Sequence, residues 1–120
     1  DYIYSCYVTP EGTILDEWAT PNVSRITGYT FEQLPKGENG WLNVIYPDDL
    51  PAVYLFIEQL LATHQPGELD YRIVTQLGEI RWICDRVHPI WDETQGRVVR
   101  LLGAVEDISG RKQAEAALQR

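Results

Sequence analysis

The side chains with the most chemical reach in this sequence are two cysteines, Cys6 and Cys84, two histidines, His64 and His88, and a scatter of carboxylates. Catalysis needs such groups paired, a nucleophile beside a base or two carboxyls with separated pKa values. Asp48 and Asp49 are adjacent, but they open an apolar helical pattern, where carboxylates act as N-terminal caps and complement the helix dipole. Asp16, Glu17, Asp85 and Glu106 are the other candidate acids, and none pairs with a base at a convincing spacing. Two lone histidines without a cysteine or carboxylate at ligand spacing make no zinc site. Arg81 can meet a ligand carboxylate, although a surface or partner ion pair is its commoner use. These residues favour binding over turnover, and the chain reads as a non-catalytic module. A second group is aromatic: Tyr2, Tyr4, Trp41, Tyr54, Tyr71, Trp82 and Trp91. Of these, Tyr4, Trp41, Tyr54, Tyr71 and Trp82, with Ile57, are candidates to line a pocket for a flat ligand. The same side chains also fill cores that hold no ligand, and their bulk argues against a large open cavity.

The elements that must position these residues follow from periodicity and punctuation. Residues 2–8 are aromatic and β-branched and predict a strand; Pro10, Glu11 and Gly12 turn the chain into a second strand over 13–18. Thr20 before Pro21 predicts an N-cap with proline in the first turn, and Gly28 ends that short helix in a left-handed cap. Thr30 and Gln33 have the spacing of a capping box. Gly37 and Gly40 interrupt, and residues 41–45 predict one more helical turn. The long helix is capped by Asp48 or Asp49. Leu50, Val53, Tyr54, Ile57, Leu60 and Leu61 form its apolar stripe, and Pro66 and Gly67 stop it. Three strands follow over 68–76, 80–91 and 97–108. Pro89 predicts a sheet edge or bulge, and Gly103 marks a place where a Cβ does not fit. From Ser109 the pattern is helical again, with Ala114, Ala117 and Leu118 on one face. That stripe is too thin for a core and suits a helix that pairs with its own copy. The fold class is α+β: a five-stranded antiparallel sheet, short helices and one long helix on one face, and a C-terminal exit helix.

Composition narrows the function classes. The chain has 120 residues, of which 44% are hydrophobic and 23% charged, enough for one globular domain with one core. Eighteen acidic against ten basic residues give a net charge of -8, which disfavours nucleic acid as a partner. No apolar run approaches the ~20 residues of a membrane span, and no signal segment opens the chain. Two distant cysteines in apolar segments fit a reducing compartment, so the expected location is the cytoplasm, with no direct membrane contact. A chain that starts at Asp1 and has no methionine reads as a piece of a longer protein.

Four segments together resemble the PAS family, in its form with a C-terminal PAC motif. Trp18-Ala19-Thr20-Pro21 with Ile26-Thr27-Gly28-Tyr29 is similar to the family's first helical segment. Tyr46-Pro47-Asp48-Asp49-Leu50 is similar to its "His-Pro-Asp-Asp" start of the long helix. Gly78-Glu79-Ile80-Arg81-Trp82 matches a hairpin, and Gly103 through Asp107-Ile108-Ser109 with Arg111-Lys112 is similar to the "Asp-Ile-Thr" ending before a signalling helix. The sequence departs from the family where Thr20 stands for Asn, Tyr46 for His and Ser109 for Thr. The resemblance covers essentially the whole chain. It implies a bacterial sensory domain over 1–108 and the start of a signalling helix over 109–120.

The implied role is a non-catalytic sensory, relay and dimerisation module of a two-component or similar signal-transduction protein, such as a sensor histidine kinase or a cyclic-dinucleotide enzyme. The alternative is a sensor that holds a small molecule or cofactor between helices and sheet. Implied partners are a second copy and the adjacent domains. The relay residues implied are Asp107, Ile108, Ser109 and Arg81, with Asp107 holding the strand-to-helix junction through nearby backbone N–H groups. Flavin photoreceptors of the family carry a reactive cysteine in the segment around 36–46, which here has none, and haem needs an axial ligand for which only His64 is near the family's position. Haem and flavin are therefore not expected, and no cofactor is the favoured reading. In the implied fold the strands of Cys6 and Cys84 flank the last strand, ~10 Å apart at two strand spacings, too far for a disulfide.

Overall fold

The computed structural model describes residues 1–37 and 40–119. Five antiparallel strands form one sheet: β1 (Tyr2–Val8), β2 (Ile14–Ala19), β3 (Gly67–Val74), β4 (Ile80–Asp92) and β5 (Arg97–Asp107), in the order β2-β1-β5-β4-β3. Between β2 and β3 run a short helix α1 (Val23–Thr27), three 3-10 turns at Phe31–Gln33, Trp41–Asn43 and Pro47–Asp49, and the long helix α2 (Leu50–Thr63). A last helix, α3, spans Ser109–Leu118, so Arg120 of the expected exit segment lies outside the described residues.

Alternation places Ile83, Asp85 and Val87 of β4, and Leu101, Gly103 and Val105 of β5, on the face covered by the helices. Ile73, Ile83 and Val105 are fully buried there. Each contributes about 1.5–3 kcal/mol by leaving water. Val53 and Leu60 are the buried residues of α2, with Leu50, Ile57 and Leu61 partly buried beside them. Tyr54, expected on the same stripe, is half exposed.

Several local expectations need correction. Thr20 is not the cap of α1. Asn22 holds that position without a side-chain bond to the helix, and the Thr20 hydroxyl accepts the Ile3 N–H at 3.0 Å, fastening the end of β2 to β1. Asp49 stands at the N-cap of α2 but caps nothing. Its carboxylate accepts the backbone N–H, Nε and Nη2 of Arg72 at 2.8, 2.9 and 2.6 Å, because a guanidinium fork matches a carboxylate better than one amide does. The helix stops at His64, in the left-handed conformation at φ 60°, three residues before Gly67 opens β3. Other expectations stand as drawn: the capping box of Thr30 and Gln33, and the left-handed cap at Gly28. Pro89 lies past Val87, the last β4 residue paired with β3, and a bulge follows at Ile90/Trp91.

The free side of β3 is occupied by the chain leading into α2. Tyr46 donates to the Arg72 carbonyl at 2.9 Å, Val74 donates to the Val44 carbonyl at 2.8 Å, and Ile45 bridges Ile73. Gly103 pairs with Tyr4 across β1 and β5, and the Tyr4 ring occupies the space a Cβ on residue 103 would need. Replacing Gly103 by valine is therefore expected to lower stability by about 2–3 kcal/mol in urea unfolding, as overpacked sites do. Adding Tyr4→Leu should recover part of the loss; equal stability of Gly103→Val and the parent chain would contradict this packing.

Candidate functional site

Between the helices and the sheet lies a cavity of about 210 Å³, a modest space that the expected aromatic packing leaves unfilled. It is lined by members of both core clusters, the one around Val53 and Tyr71 and the one around Leu60 and Leu101. Tyr4, Trp41, Tyr54, Ile57 and Tyr71 all line it, as does Tyr2. Trp82 does not. Strand alternation turns its side chain to the opposite face of the sheet, where the Arg72 and Lys112 side chains stack on its ring at 5.1 and 4.8 Å. Trp91 also stands apart, against the His64 ring at a centroid distance of 4.1 Å.

The polar centre of the cavity is Asp85, only 6% exposed. Its two oxygens each accept one tyrosine hydroxyl, from Tyr4 and from Tyr71, both at 2.8 Å, and Tyr71 in turn accepts the Trp41 indole N–H at 2.9 Å. Four residues from β1, the Trp41 turn, β3 and β4 thus form one hydrogen-bonded chain. Burial pushes the Asp85 carboxyl from near 3.8 up to about 6, with the Tyr71 and Tyr4 hydroxyls acting against that rise. Burial, and next the charge of Asp85, push both tyrosines well above their ordinary value, so they remain donors. Asp16, also on the lining, is raised by burial, with Lys36 opposing. Sequence reasoning treated Asp85 only as one of several unpaired acids. The signal for its place was available in the inward register it shares with Ile83 and Val87.

The cysteines are not activated thiols. Burial raises Cys6 well above the usual thiol range, and Cys84 to about 11. Among the described residues no group of three or more histidines, cysteines or carboxylates could hold a metal ion, and no helix is long and apolar enough to cross a membrane.

The second site is the strand-to-helix junction. Asp107 accepts the Ser109 N–H at 2.9 Å, the backbone bond expected of it. Ile108 is buried and donates to the Trp82 carbonyl at 2.9 Å, while the Trp82 N–H donates to the Ser109 hydroxyl at 3.0 Å. Arg111 and Lys112 reach Asp70 of β3 at 3.3 and 3.8 Å. Arg81, one residue before Trp82, donates to the carbonyls of Arg25 and Ile26 at 2.7 and 2.9 Å and lies 3.4 Å from Glu79. It thus satisfies the open C-terminal end of α1 in addition to forming a surface ion pair.

A model of the PAS fold family matches residues 17–105. The chain is 35% identical over 92 residues to a blue-light-activated histidine kinase of Brucella ovis, a stretch that is 77% of this chain and 18% of that protein. It superposes on a sensory box histidine kinase/response regulator from Burkholderia thailandensis with a TM-score of 0.74 at 26% identity, covering 98% of this chain and 85% of the other. For the N-terminal domain of a diguanylate cyclase with PAS/PAC sensor from Marinobacter aquaeolei, the TM-score is 0.76 at 25% identity, over 93% and 99% of the two chains. The chain belongs to the PAS family and is a sensory domain homologous to those of histidine kinases and diguanylate cyclases. It spans less than a fifth of the length of the curated relatives it matches.

The raised carboxyl of Asp85 has a consequence for stability. Below about pH 4 the group is protonated in folded and unfolded chains alike; as pH rises through 6 the folded chain must ionise it in a buried place, so its stabilising contribution is lost. Asp49 and Glu17, both held low by arginine, act in the opposite sense at more acid pH. Unfolding free energy should therefore fall by up to about 3 kcal/mol from this group between pH 4 and 7. Asp85→Asn should flatten the profile in urea titrations at pH 4, 5, 6 and 7; parallel profiles for the two chains would refute the assignment.

Proposed function

We propose that this chain is a small-molecule sensor domain whose cavity receives the ligand and whose α3 carries the response to the next part of a signalling protein. It performs no chemistry itself, and its output, a kinase or a cyclic-dinucleotide enzyme, lies in adjoining domains. The cavity around Asp85 carries this reading. Strand β4 supplies its connection outward: Asp85 faces the cavity, while Trp82, three residues along, bonds to Ile108 and Ser109 at the root of α3. At ~3.4 Å per residue that is about 10 Å of one strand. Asp107, Ile108, Ser109 and Arg81 are the relay residues in this reading, with the domain proper over 1–108 and the signalling segment from 109.

Native mass spectrometry of the purified chain is expected to show a retained small molecule, which Ala19→Trp, built into the cavity wall, should exclude. Hydrogen exchange of the loaded chain should show slowed amides in β4 and in Ser109–Leu118. Ligand protection confined to the cavity wall would sever the proposed route to α3.

A second reading, self-association, is supported by α3 itself. From Gln113 onward every described residue of the helix is exposed, including Ala114, Ala117 and Leu118, the last at 86%. An apolar stripe left in water is what a paired helix would bury. Sedimentation should give a homodimer that Leu118→Asp weakens at least about tenfold in Kd, since one buried leucine is worth more than 1.4 kcal/mol. A chain that stays monomeric at millimolar concentration would end this second reading.

A further inference from the structure

Buried carboxylates in proteins normally face a cation or a metal, because a charge removed from water costs several kcal/mol unless it is paired. Asp85 faces neither. Its partners are two neutral hydroxyls, and among the described residues no cationic side chain is bonded to it. Each of its oxygens has taken one hydrogen bond and keeps a second lone pair. Around it the described cavity wall holds one more carboxylate, Asp16, and no lysine, arginine or histidine. Lys36 acts on Asp16, donates to the Phe31 carbonyl and rests over the Phe31 ring 3.9 Å from its centre. The wall is rich in aromatic side chains, and Tyr2, Tyr4, Trp41, Tyr54 and Tyr71 present the electron-rich rings that attract organic cations.

We propose that the cavity selects a small organic cation, an apolar ring or short chain bearing one protonated amine, with the ammonium on Asp85 and the apolar body among Trp41, Tyr54, Ile57 and Leu60. This rests on the reading of the cavity as a ligand site and adds the chemical class of the ligand. An ammonium has donors for the free lone pairs of Asp85 and supplies the charge the buried site lacks, while the hydroxyls of Tyr4 and Tyr71 hold the carboxylate in place. Anionic ligands meet two carboxylates and no counter-charge, which excludes carboxylates and phosphates. Size sets the scale. A cavity of about 150 Å³ holds benzene. The 210 Å³ here therefore admits a ring with a short arm.

The test uses three probes of nearly one shape and different charge: 2-phenylethylamine, 2-phenylethanol and phenylacetate, titrated calorimetrically into the 120-residue chain at pH 7.5 or above, where Asp85 is ionised. The amine should bind at least about tenfold more tightly than the alcohol, the gain of an ion pair over a neutral hydroxyl donating to the same carboxylate, and phenylacetate should not bind. In Asp85→Asn the advantage of the amine over the alcohol should fall below about threefold. Equal binding of amine and alcohol by the parent chain would overturn cation selection and leave the ligand cavity standing. Tight binding of phenylacetate would do the same. A tenfold preference for amine that survives Asp85→Asn would remove Asp85 from the proposal, and failure of all three probes to bind at millimolar concentration would overturn both the cation class and the ligand reading. The wild-type series decides the charge question alone, so a variant that does not fold leaves the proposal exposed to refutation.

Discussion

A carboxylate held inside the fold by two tyrosine hydroxyls organises much of the rest. Asp85 can be buried only because Tyr71 reaches it from the neighbouring β3 and Tyr4 from β1, across β5, and each depends on a further accommodation. Tyr4 lies over β5 at a residue with no side chain, Gly103. Tyr71 is steadied by the Trp41 indole, so the turn after Gly40 is tied to the sheet by a bond that also closes one wall of the cavity. A glycine in one strand, a ring in the next and a tryptophan in a connecting turn are thus parts of one solution to the burial of one charge.

The sequence was most legible where a pattern has one physical cause. The stripe of α2, the left-handed cap at Gly28, the capping box at Thr30 and the close approach at Gly103 each follow from periodicity or from the lack of a Cβ, and the five strands follow from alternation between turns. It was least legible where a side chain had a choice of partners. Asp49 could serve its own helix or an arginine 23 residues away, and the fork of Arg72 offered the better match. Thr20 could cap α1 or hold β1, and took the strand. Choices of that kind are settled by tertiary distance, which local pattern does not contain.

The cavity was legible in its walls and not in its volume. Most of the aromatic residues that could surround a ligand do so, yet counting bulk suggested that they would also fill the space. Rings anchored at their polar ends cannot collapse freely: Tyr4 and Tyr71 are pinned at their hydroxyls and Trp41 at its indole nitrogen. Trp82 was misplaced for a simpler reason. Its aromatic character fitted a pocket, but its parity on β4 is opposite to that of Asp85, and it serves the root of α3 instead.

The chain segment around Val44–Asp49 that lies along β3 has a bearing on how this sheet can meet other molecules. An outer strand offers a row of amides and carbonyls on which any extended peptide can build. On the β3 side that row is already engaged at Arg72 and Val74, by Val44, Tyr46 and the Asp49 carboxylate. Growth of the sheet by an added strand, whether in orderly assembly or in aggregation, is therefore impeded at that end of β3, and β2 is the edge that such an addition would favour.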